Sequence, residues 1–474
     1  MEMKIIPSSP QSTLEPDHKL PDSLLASRMR EEALSLQTFV LESDQTKYRK
    51  RRQQILIVTS CMALTFTGCG FNFAFGVYQE HYETLRGPFD GASPWDIDLI
   101  GTLTASLMTI GAPFASSWSK TYGPRQVTTL GGVLFAASGI LASFGTRLWH
   151  FQLTQGLLQG CAACLTYIPA VTVSPGFFKK RGGLAMGIIL SGTGLGGVAW
   201  APILRYLISA IGYRSTLRVM GVVAAILIVI SASVLKNAED SRTDESVPRQ
   251  DRSLRHRSIL PKVNWKIVRS KEFFAHSLGG FLHSAAYFTP IYFMSSYATR
   301  LGYGNISGAH IIALSNFCNF GGKIIIGYLA DRYGRLNALA LSTSVSAAVT
   351  FGLWYVSHIQ IDIEMRRALL MAYACIYGLT AGSYVSLFPT ALAEQFGIRN
   401  FASINGLVYM IRGFGTLLGT AIGGALVRNT RESRPAAIGF DRTFLFVGIL
   451  LSGASISIAC ARGMKTRGEW EWRA

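Results

Sequence analysis

Charged residues are scarce in this sequence, and acidic ones are the scarcer kind. Lys, Arg, Asp and Glu make up 15% of the chain, against about 25% in an average soluble protein. Hydrophobic residues make up 49% of the 474 positions, and the mean hydropathy is +0.30. This composition indicates a membrane protein. The net charge of +18 therefore needs no nucleic-acid partner to explain it.

The sequence also lacks the patterns of soluble enzymes. All seven cysteines lie in apolar stretches, and the single CxxC, Cys161 with Cys164, has no nearby partners for a metal or redox site. A GGK triplet ends at Lys323, but Phe317 and Ile324 replace the Gly and the Ser/Thr that a phosphate loop requires. No protease or hydrolase motif occurs in a plausible frame. We expect no enzymatic activity, no cofactor and no metal.

Long apolar runs are what the sequence does contain. A window of roughly twenty residues, enough to cross about 30 Å of hydrocarbon, finds about twelve candidate spans. They lie near 54–78, 97–118, 126–145, 149–173, 183–208, 215–235, 273–298, 307–330, 336–357, 367–391, 401–426 and 441–461. We therefore predict an all-α membrane protein whose twelve transmembrane helices form two pseudo-symmetric six-helix bundles.

Polar segments divide this predicted membrane domain. The first 50 residues lack an apolar run and are expected to be a disordered tail, not a signal peptide. The predicted organisation is a cytosolic tail (1–50), an N-terminal bundle (51–235), a cytosolic linker (236–272), a C-terminal bundle (273–461) and a cytosolic tail (462–474).

Positive charges collect on one side of the predicted topology. They precede the first span, follow the second and fourth, fill the linker and end the chain; examples are Arg51, Lys120, Lys180, Arg255 and Arg467. Because cytosolic loops are enriched in Lys and Arg, both termini are predicted to be cytosolic. One loop on the predicted outer side does not follow this rule, since it contains Arg428, Arg431 and Arg434. The KKR group at 179–181 fits an anchor at the anionic inner leaflet.

Two short turns at corresponding places indicate an internal repeat. GYLADRYGR follows the eighth span and SSWSKTYGPR follows the second. Parallel repeats of this kind are typical of transporters whose halves rock against each other. We predict a cytosolic latch in which Asp331 meets arginines and the dipole of a neighbouring helix in one of two states. In the first half, Lys120 and Pro124 replace Asp331 and Arg335, so that latch is degraded. Prolines 113, 169, 202, 290 and 389 interrupt other spans and could hinge them.

The GxLADRxGR turn resembles the signature loop of the major facilitator superfamily. The stretch FFKKRGGLAMGIILSG at 177–192 resembles the fifth-helix motif of the monocarboxylate porter branch, and segments 75–82 and 123–144 are similar to fungal members. The resemblance covers about 54–461 and implies a secondary transporter. It also implies that the two motifs gate the transporter. The matching residues are Lys180, Arg181, Gly327, Asp331, Arg332, Gly334 and Arg335.

The sequence departs from the branch at places that bear on the substrate. The acid-Gly-Gly-aromatic motif of the first helix is replaced by Arg51, Arg52 and two glutamines. In the animal porters, the eighth helix carries a carboxylate and an arginine, which align here with Asn319 and Lys323. Asparagine takes up no proton near neutral pH, which argues against simple proton–lactate symport. Gly156 replaces the arginine of drug/proton antiporters, which argues against a standard multidrug exporter.

Ionisable side chains within spans are the candidate binding residues, because each costs about 2.5 kcal/mol or more at membrane depth. Lys323 shares one helix face with Asn316 and Asn319 at i, i+3, i+7 spacing, and Arg412 lies in the eleventh span. The alternative to substrate binding for Lys323 is that it snorkels toward the cytosol or pairs with Asp331. For Arg412 the alternative is a hydrogen bond between helices. His283 is a candidate proton relay or a packed histidine. Side chains that could line a midplane cavity are Asn72, Tyr287, Tyr292 and Tyr384.

These observations predict a secondary active transporter of a small organic anion or carboxylate-bearing metabolite in the plasma membrane. Export of a fungal secondary metabolite and uptake of a monocarboxylate both fit, with a solute or proton gradient as the energy source. The alternatives are a non-transporting membrane sensor and a carrier of a neutral solute such as a vitamin or drug-like compound. We expect a monomer whose partners are the small-molecule substrate and the lipid bilayer.

Overall fold

A computed structural model describes residues 48–49, 51–82, 88–89, 94–173, 178, 181–243, 263–300, 305–360, 362–428 and 440–465. Their contacts divide the chain into two units, Met1–Gln54 and Ile55–Ala474. In the first unit, the described residues 48–49 and 51–54 are helical. Lys180 and most of the predicted tails and linker lie outside the described residues, so the predicted domain boundaries stay predictions.

Twelve long helices, with no strand, account for nearly all of the described residues. They are α1 (Arg51–Tyr82), α2 (Pro94–Ile110 and Ala112–Tyr122), α3 (Pro124–Ser143), α4 (Leu148–Val173), α5 (Gly182–Ile211), α6 (Tyr213–Thr243), α7 (Lys271–Arg300), α8 (Asn305–Tyr333), α9 (Arg335–Ile359), α10 (Ile363–Phe396), α11 (Ile398–Arg428) and α12 (Asp441–Lys465). A short helix, Trp265–Val268, precedes α7.

Ten of these helices are long and apolar enough to cross a membrane, and the bent α2 makes an eleventh. The helix α7 has the length, with 30 residues, but lower hydrophobicity. The cause is a set of buried polar side chains in α7, including Ser277, His283 and Ser284. The predicted all-α membrane fold is confirmed.

The same backbone conformation ends the second helix of each half. Gly123 has φ 92° between α2 and α3, and Gly334 has φ 94° between α8 and α9. Each donates its N–H to the carbonyl four residues earlier, Ser119 or Ala330, at 3.1 and 3.0 Å. Glycine is favoured here because other residues rarely adopt this φ. The two predicted turns thus share a backbone conformation, although their side chains differ.

Prolines interrupt the helices less than predicted. The helix α2 bends by 49° at Gly111, beside Pro113. The other four lie inside continuous helices, so the prediction that they interrupt their spans is wrong; they are Pro169, Pro202, Pro290 and Pro389. Neighbouring helices and hydroxyl side chains can satisfy the carbonyl groups that a proline leaves without a donor.

Burial differs between the helices. The most apolar windows of α4 and α5 are 72% and 67% buried, whereas those of α6 and α8 are each 39% buried and those of α9 and α12 are each 44% buried. Large apolar side chains on the less buried helices are exposed, among them Ile230, Leu341 and Ile449. In a membrane these faces contact lipid.

Glycines allow α5 to contact two helices closely. Gly187 lies against the backbone of α8 at Lys323, and Gly192 lies against the backbone of α1 at Met62. In the second half, Gly415 of α11 contacts α7 at Phe281 in the same way. Small residues permit such approaches where lipid gives no hydrophobic drive for association. The contact of α5 with α8, from Gly183 to Gly197, is called the α5–α8 seam below.

Candidate functional site

Lys323 lies in the α5–α8 seam with 1% of its surface exposed. Its Nζ donates hydrogen bonds to the Leu190 carbonyl oxygen at 3.1 Å and to Thr193 Oγ1 at 2.5 Å, both on α5. The ammonium also lies 6.0 Å from the ring centroid of Phe73 on α1. A cation of the second half is therefore held by three groups of the first half. It neither snorkels to a helix end nor pairs with Asp331 in this structure.

The asparagines predicted on the same face of α8 are buried with Lys323. Asn319 Nδ2 donates to the Tyr287 hydroxyl on α7 at 3.1 Å, and Asn316 lies against Gly197 of α5. Tyr377 of α10 in turn donates to the Tyr287 carbonyl oxygen at 3.2 Å. This face of α8 thus makes polar contacts with α5 and α7, and α7 is bonded in turn to α10.

Arg412 on α11 is the second buried cation, with 6% of its surface exposed. Its Nε donates to Ser284 Oγ on α7 at 2.9 Å, whereas its Nη1 is buried and has no hydrogen-bond partner. The side chain lies along α7 because Gly280 leaves room for its methylene groups; a Cβ there would be 3.1 Å from Arg412 Cγ. The predicted helix–helix hydrogen bond therefore exists, and it leaves Nη1 without a partner.

Aromatic rings surround the Arg412 guanidinium. Its carbon lies 5.0 Å from the ring centroid of Phe388, 5.1 Å from that of Tyr409 and 5.5 Å from that of Tyr384. The ring of His283 stacks on Tyr384 at 3.8 Å with an interplanar angle of 11°. Cations are attracted to such ring faces. The predicted residues His283, Tyr384 and Arg412 are thus one cluster.

No carboxylate neutralises these two cations in the part of the chain that the structure describes, where the ion pairs involve other residues. An unpaired buried ion costs several kcal/mol. Among the described residues, the charges of Lys323 and Arg412 are therefore offset by hydrogen bonds and ring contacts and not by an acid.

The other two predicted cavity residues make different contacts. Asn72 on α1 is buried, with Nδ2 3.9 Å from the Met108 sulfur. Tyr292 on α7 lines a cavity of about 100 Å³ with Asp98 and Thr102 of α2. Neither Lys323 nor Arg412 lines that cavity.

The latch residues meet at the start of α5. The Asp331 carboxylate accepts hydrogen bonds from the Gly183 and Leu184 N–H groups, both at 2.8 Å. Arg335 lies 3.5 Å from Asp331 and 3.6 Å from Glu394, which also pairs with Lys465 at 2.7 Å. A carboxylate at a helix N-terminus is stabilised by unpaired N–H groups and the helix dipole. This contact joins the two halves.

The remaining gating candidates contribute differently. Gly327 packs against the backbone of Gly183. Arg332 lies over the ring of Tyr328 at 4.7 Å, on its own helix. Arg181 is the exposed residue before α5 and makes no capping bond through its side chain.

The equivalent latch of the first half has a cation in place of the acid. Lys120 Nζ lies 3.5 Å from Ser403 Oγ, near the start of α11. A lysine cannot accept hydrogen bonds from the first N–H groups of α11. The two predicted latches are therefore chemically unequal.

Several contacting residues escaped sequence analysis. Thr193 and Ser284 hold the two cations but are neutral residues inside helices, where nothing in the sequence distinguishes them. Tyr167 of α4 meets Tyr409 of α11 across the halves, with 3.1 Å between the hydroxyl oxygens. Phe388 completes the ring set around Arg412. Tyr409 lies one turn from Arg412 on α11, so it could be found only once Arg412 itself had been identified.

Two helical halves joined through buried polar contacts define a multi-pass membrane protein. Residues 55–420 match the sequence model of the Major Facilitator Superfamily, and the chain belongs to that family. Similar proteins include an MFS-type transporter of Gibberella moniliformis, 25% identical over 84% of this chain and 89% of that protein. Human monocarboxylate transporter 11 is 28% identical over 83% of this chain and 79% of its own length.

A further similar protein is the agnestins efflux protein AgnL12 of Paecilomyces divaricatus, 26% identical over 86% of this chain and 87% of its own length. Members of this family are transporters of small molecules and not enzymes. The predicted family and the expectation of a non-enzymatic protein are therefore confirmed.

Proposed function

We propose that this protein is a secondary active transporter that moves a small organic anion by alternating access between its halves. The observation that carries the proposal is the pair of buried cations, Lys323 and Arg412, without a carboxylate partner among the described residues. An anion between the halves offsets their desolvation cost. Binding of an anion also explains why two ionisable residues that cost free energy at membrane depth are present.

The favoured substrate is a carboxylate-bearing metabolite. The similar human protein is named as a monocarboxylate transporter, which supports this class, and the similar Paecilomyces protein is named as an efflux protein. Export of a fungal secondary metabolite and uptake of a monocarboxylate are the two directions that follow from them. We further propose a monomer in the plasma membrane with cytosolic termini, driven by a solute or proton gradient.

Movement requires that the contacts between the halves change. We propose that Asp331, bonded to Gly183 and Leu184, closes the predicted cytosolic end in one state and leaves α5 in the other. Arg335 and Glu394 support the closed arrangement. Each of these contacts at a helix end contributes about 1 kcal/mol to stability. Contacts this weak can break and re-form, which permits a reversible switch.

A neutral solute is the second candidate substrate. The observation in its favour is that Lys323 is already bonded to Leu190 and Thr193. A cation satisfied in this way could act only as a tie between the halves. Transport would then not depend on the charge of the solute.

Counterflow in proteoliposomes tests the proposal. Exchange of a panel of monocarboxylates and aromatic acids is measured for wild type and for Lys323→Gln, with and without a pH gradient. Saturable exchange of an acid, reduced at least about tenfold in the variant, supports an anion carrier in which a buried charge contributes. Exchange of neutral solutes that is indifferent to Lys323→Gln supports the second candidate. Any response to the pH gradient identifies proton coupling.

A further inference from the structure

The two buried cations differ in how many donors are already bonded. Lys323 directs hydrogen bonds to two acceptors of α5. Arg412 bonds Ser284 through Nε, while Nη1 is buried without a hydrogen-bond partner. Unsatisfied buried donors are rare, and each one needs a reason. The open donor therefore points to Arg412 as the place where an acceptor of the substrate binds.

A second open donor belongs to a residue whose ring contacts the Arg412 guanidinium. The hydroxyl of Tyr384 is buried and has no hydrogen-bond partner, and the Arg412 guanidinium lies 5.5 Å from the centroid of that tyrosine ring. A carboxylate has two oxygen atoms and accepts hydrogen bonds only. Nη1 and the tyrosine hydroxyl each supply a donor for such an oxygen, and a bond from the guanidinium is charge-assisted.

The surroundings of these donors are aromatic. Phe388 and Tyr384 stack at 5.6 Å and 14°, and Tyr384 also stacks on His283. Aromatic rings pair favourably in stacked or edge-to-face arrangements, beyond the gain from burying apolar area. A ring attached to the bound carboxylate would therefore gain contacts that a saturated group of equal size does not.

We infer that Arg412, Tyr384 and Phe388 form a subsite that selects planar, conjugated carboxylates over saturated ones. The inference rests on the proposed anion transport and names the substrate class of that same site. Tyr409, whose ring lies 5.1 Å from the Arg412 guanidinium, contacts Tyr167 of the other half. Parting of α4 and α11 then opens the way to Arg412, which couples access to the movement of the halves.

The test compares benzoate with cyclohexanecarboxylate, which share charge and approximate size but differ in ring planarity. Counterflow in proteoliposomes gives KM for both acids with wild type, Phe388→Leu, Tyr384→Phe and Arg412→Lys. Phe414→Leu is the matched control, because Phe414 lies on the same helix as Arg412 but is 45% exposed. Size-exclusion chromatography and thermal unfolding verify that each variant is folded.

Wild type is expected to favour benzoate by about threefold to tenfold in KM, the range of one aromatic contact. Phe388→Leu should bring that ratio close to one, and Phe414→Leu should leave it as in wild type. Tyr384→Phe should raise KM for both acids severalfold. Arg412→Lys keeps the charge but not the forked donors, and should raise both KM values at least about tenfold.

Equal KM values for the two acids in wild type, or a preference that survives Phe388→Leu, would overturn the inference and leave anion transport intact. If Phe388→Leu does not fold, Tyr384→Phe decides, since an unchanged KM for both acids contradicts the subsite. If no carboxylate of the wider panel is exchanged, the proposed function itself fails, and the inference fails with it.

Discussion

Lys323 and Thr193 join the two halves of the protein by a hydrogen bond of 2.5 Å. A second tie, from Asp331 to the start of α5, lies eight residues further along α8 (323 to 331), about 12 Å away in a helix. The two ties hold the same pair of helices at two depths. Movement of α5 along α8 must therefore break or replace both.

The tie at Thr193 makes a measurable contribution to stability. Thr193→Val keeps the shape but removes an acceptor of the Lys323 ammonium, so the free energy of unfolding should fall by about 1–3 kcal/mol. Ser191→Ala is the matched control, since the Ser191 hydroxyl bonds only to the Ile188 carbonyl oxygen of its own helix. Thermal unfolding in detergent measures both. Equal losses in the two variants would contradict the tie.

The latch at Asp331 should control which end of the transporter is open. Asp331→Asn removes the charge at the N-terminus of α5, which weakens the closed state by about 1 kcal/mol. Single cysteines at the predicted cytosolic ends of α5 and α8 should then react faster with a water-soluble maleimide. Asp362→Asn is the control, because Asp362 caps α10 within one half, bonding Glu364 and Met365. A similar rate increase in that control would refute the assignment.

The degraded latch can be restored. Lys120→Asp places an acid beside the start of α11, near Ser403, and should strengthen the closed state by about 0.3–1 kcal/mol. Labelling of cysteines at the predicted cytosolic end should slow, and transport should slow with it. Lys120→Gln separates the loss of the cation from the gain of the acid. Faster labelling in Lys120→Asp than in Lys120→Gln would show that this site does not act as a latch.

The α5–α8 seam should tolerate no added methyl group at Gly187. A Cβ there would collide with the Lys323 carbonyl oxygen, whereas a Cβ at Gly321 of α8 meets nothing within 4 Å. Gly187→Ala should lower the unfolding temperature and impair transport. Gly321→Ala should be neutral or stabilising by about 0.5–1 kcal/mol, the usual gain of Ala over Gly in a helix. Equal behaviour of the two variants would contradict the close seam.

The fold was predictable because its signals are local. Apolar length identifies spans, and Gly123 and Gly334 mark turns that require positive φ. The same holds for the latch, since Asp331 lies within a contiguous motif. The sequence also predicted Lys323 and Arg412 as candidate binding residues, because a cationic side chain within an apolar run is easily recognised.

What surrounds those cations was not predictable. Thr193 reaches Lys323 from 130 residues away, and Ser284 reaches Arg412 from 128 residues away. Such pairs depend on which helices pack together and in what register. The sequence around a single Ser or Thr in a helix does not show which helix will pack against it. Tyr292 lines a cavity with Asp98 and Thr102 that neither Lys323 nor Arg412 lines, and that separation also depends on helix packing.

The charge of the substrate is the central claim, and counterflow of benzoate against its neutral amide, benzamide, tests it most directly. Wild type and the folded double variant Lys323→Gln/Arg412→Gln are reconstituted side by side. The account predicts saturable exchange of benzoate, no exchange of benzamide, and loss of benzoate exchange in the double variant. Exchange of benzamide as fast as benzoate, undiminished in the double variant, would contradict it.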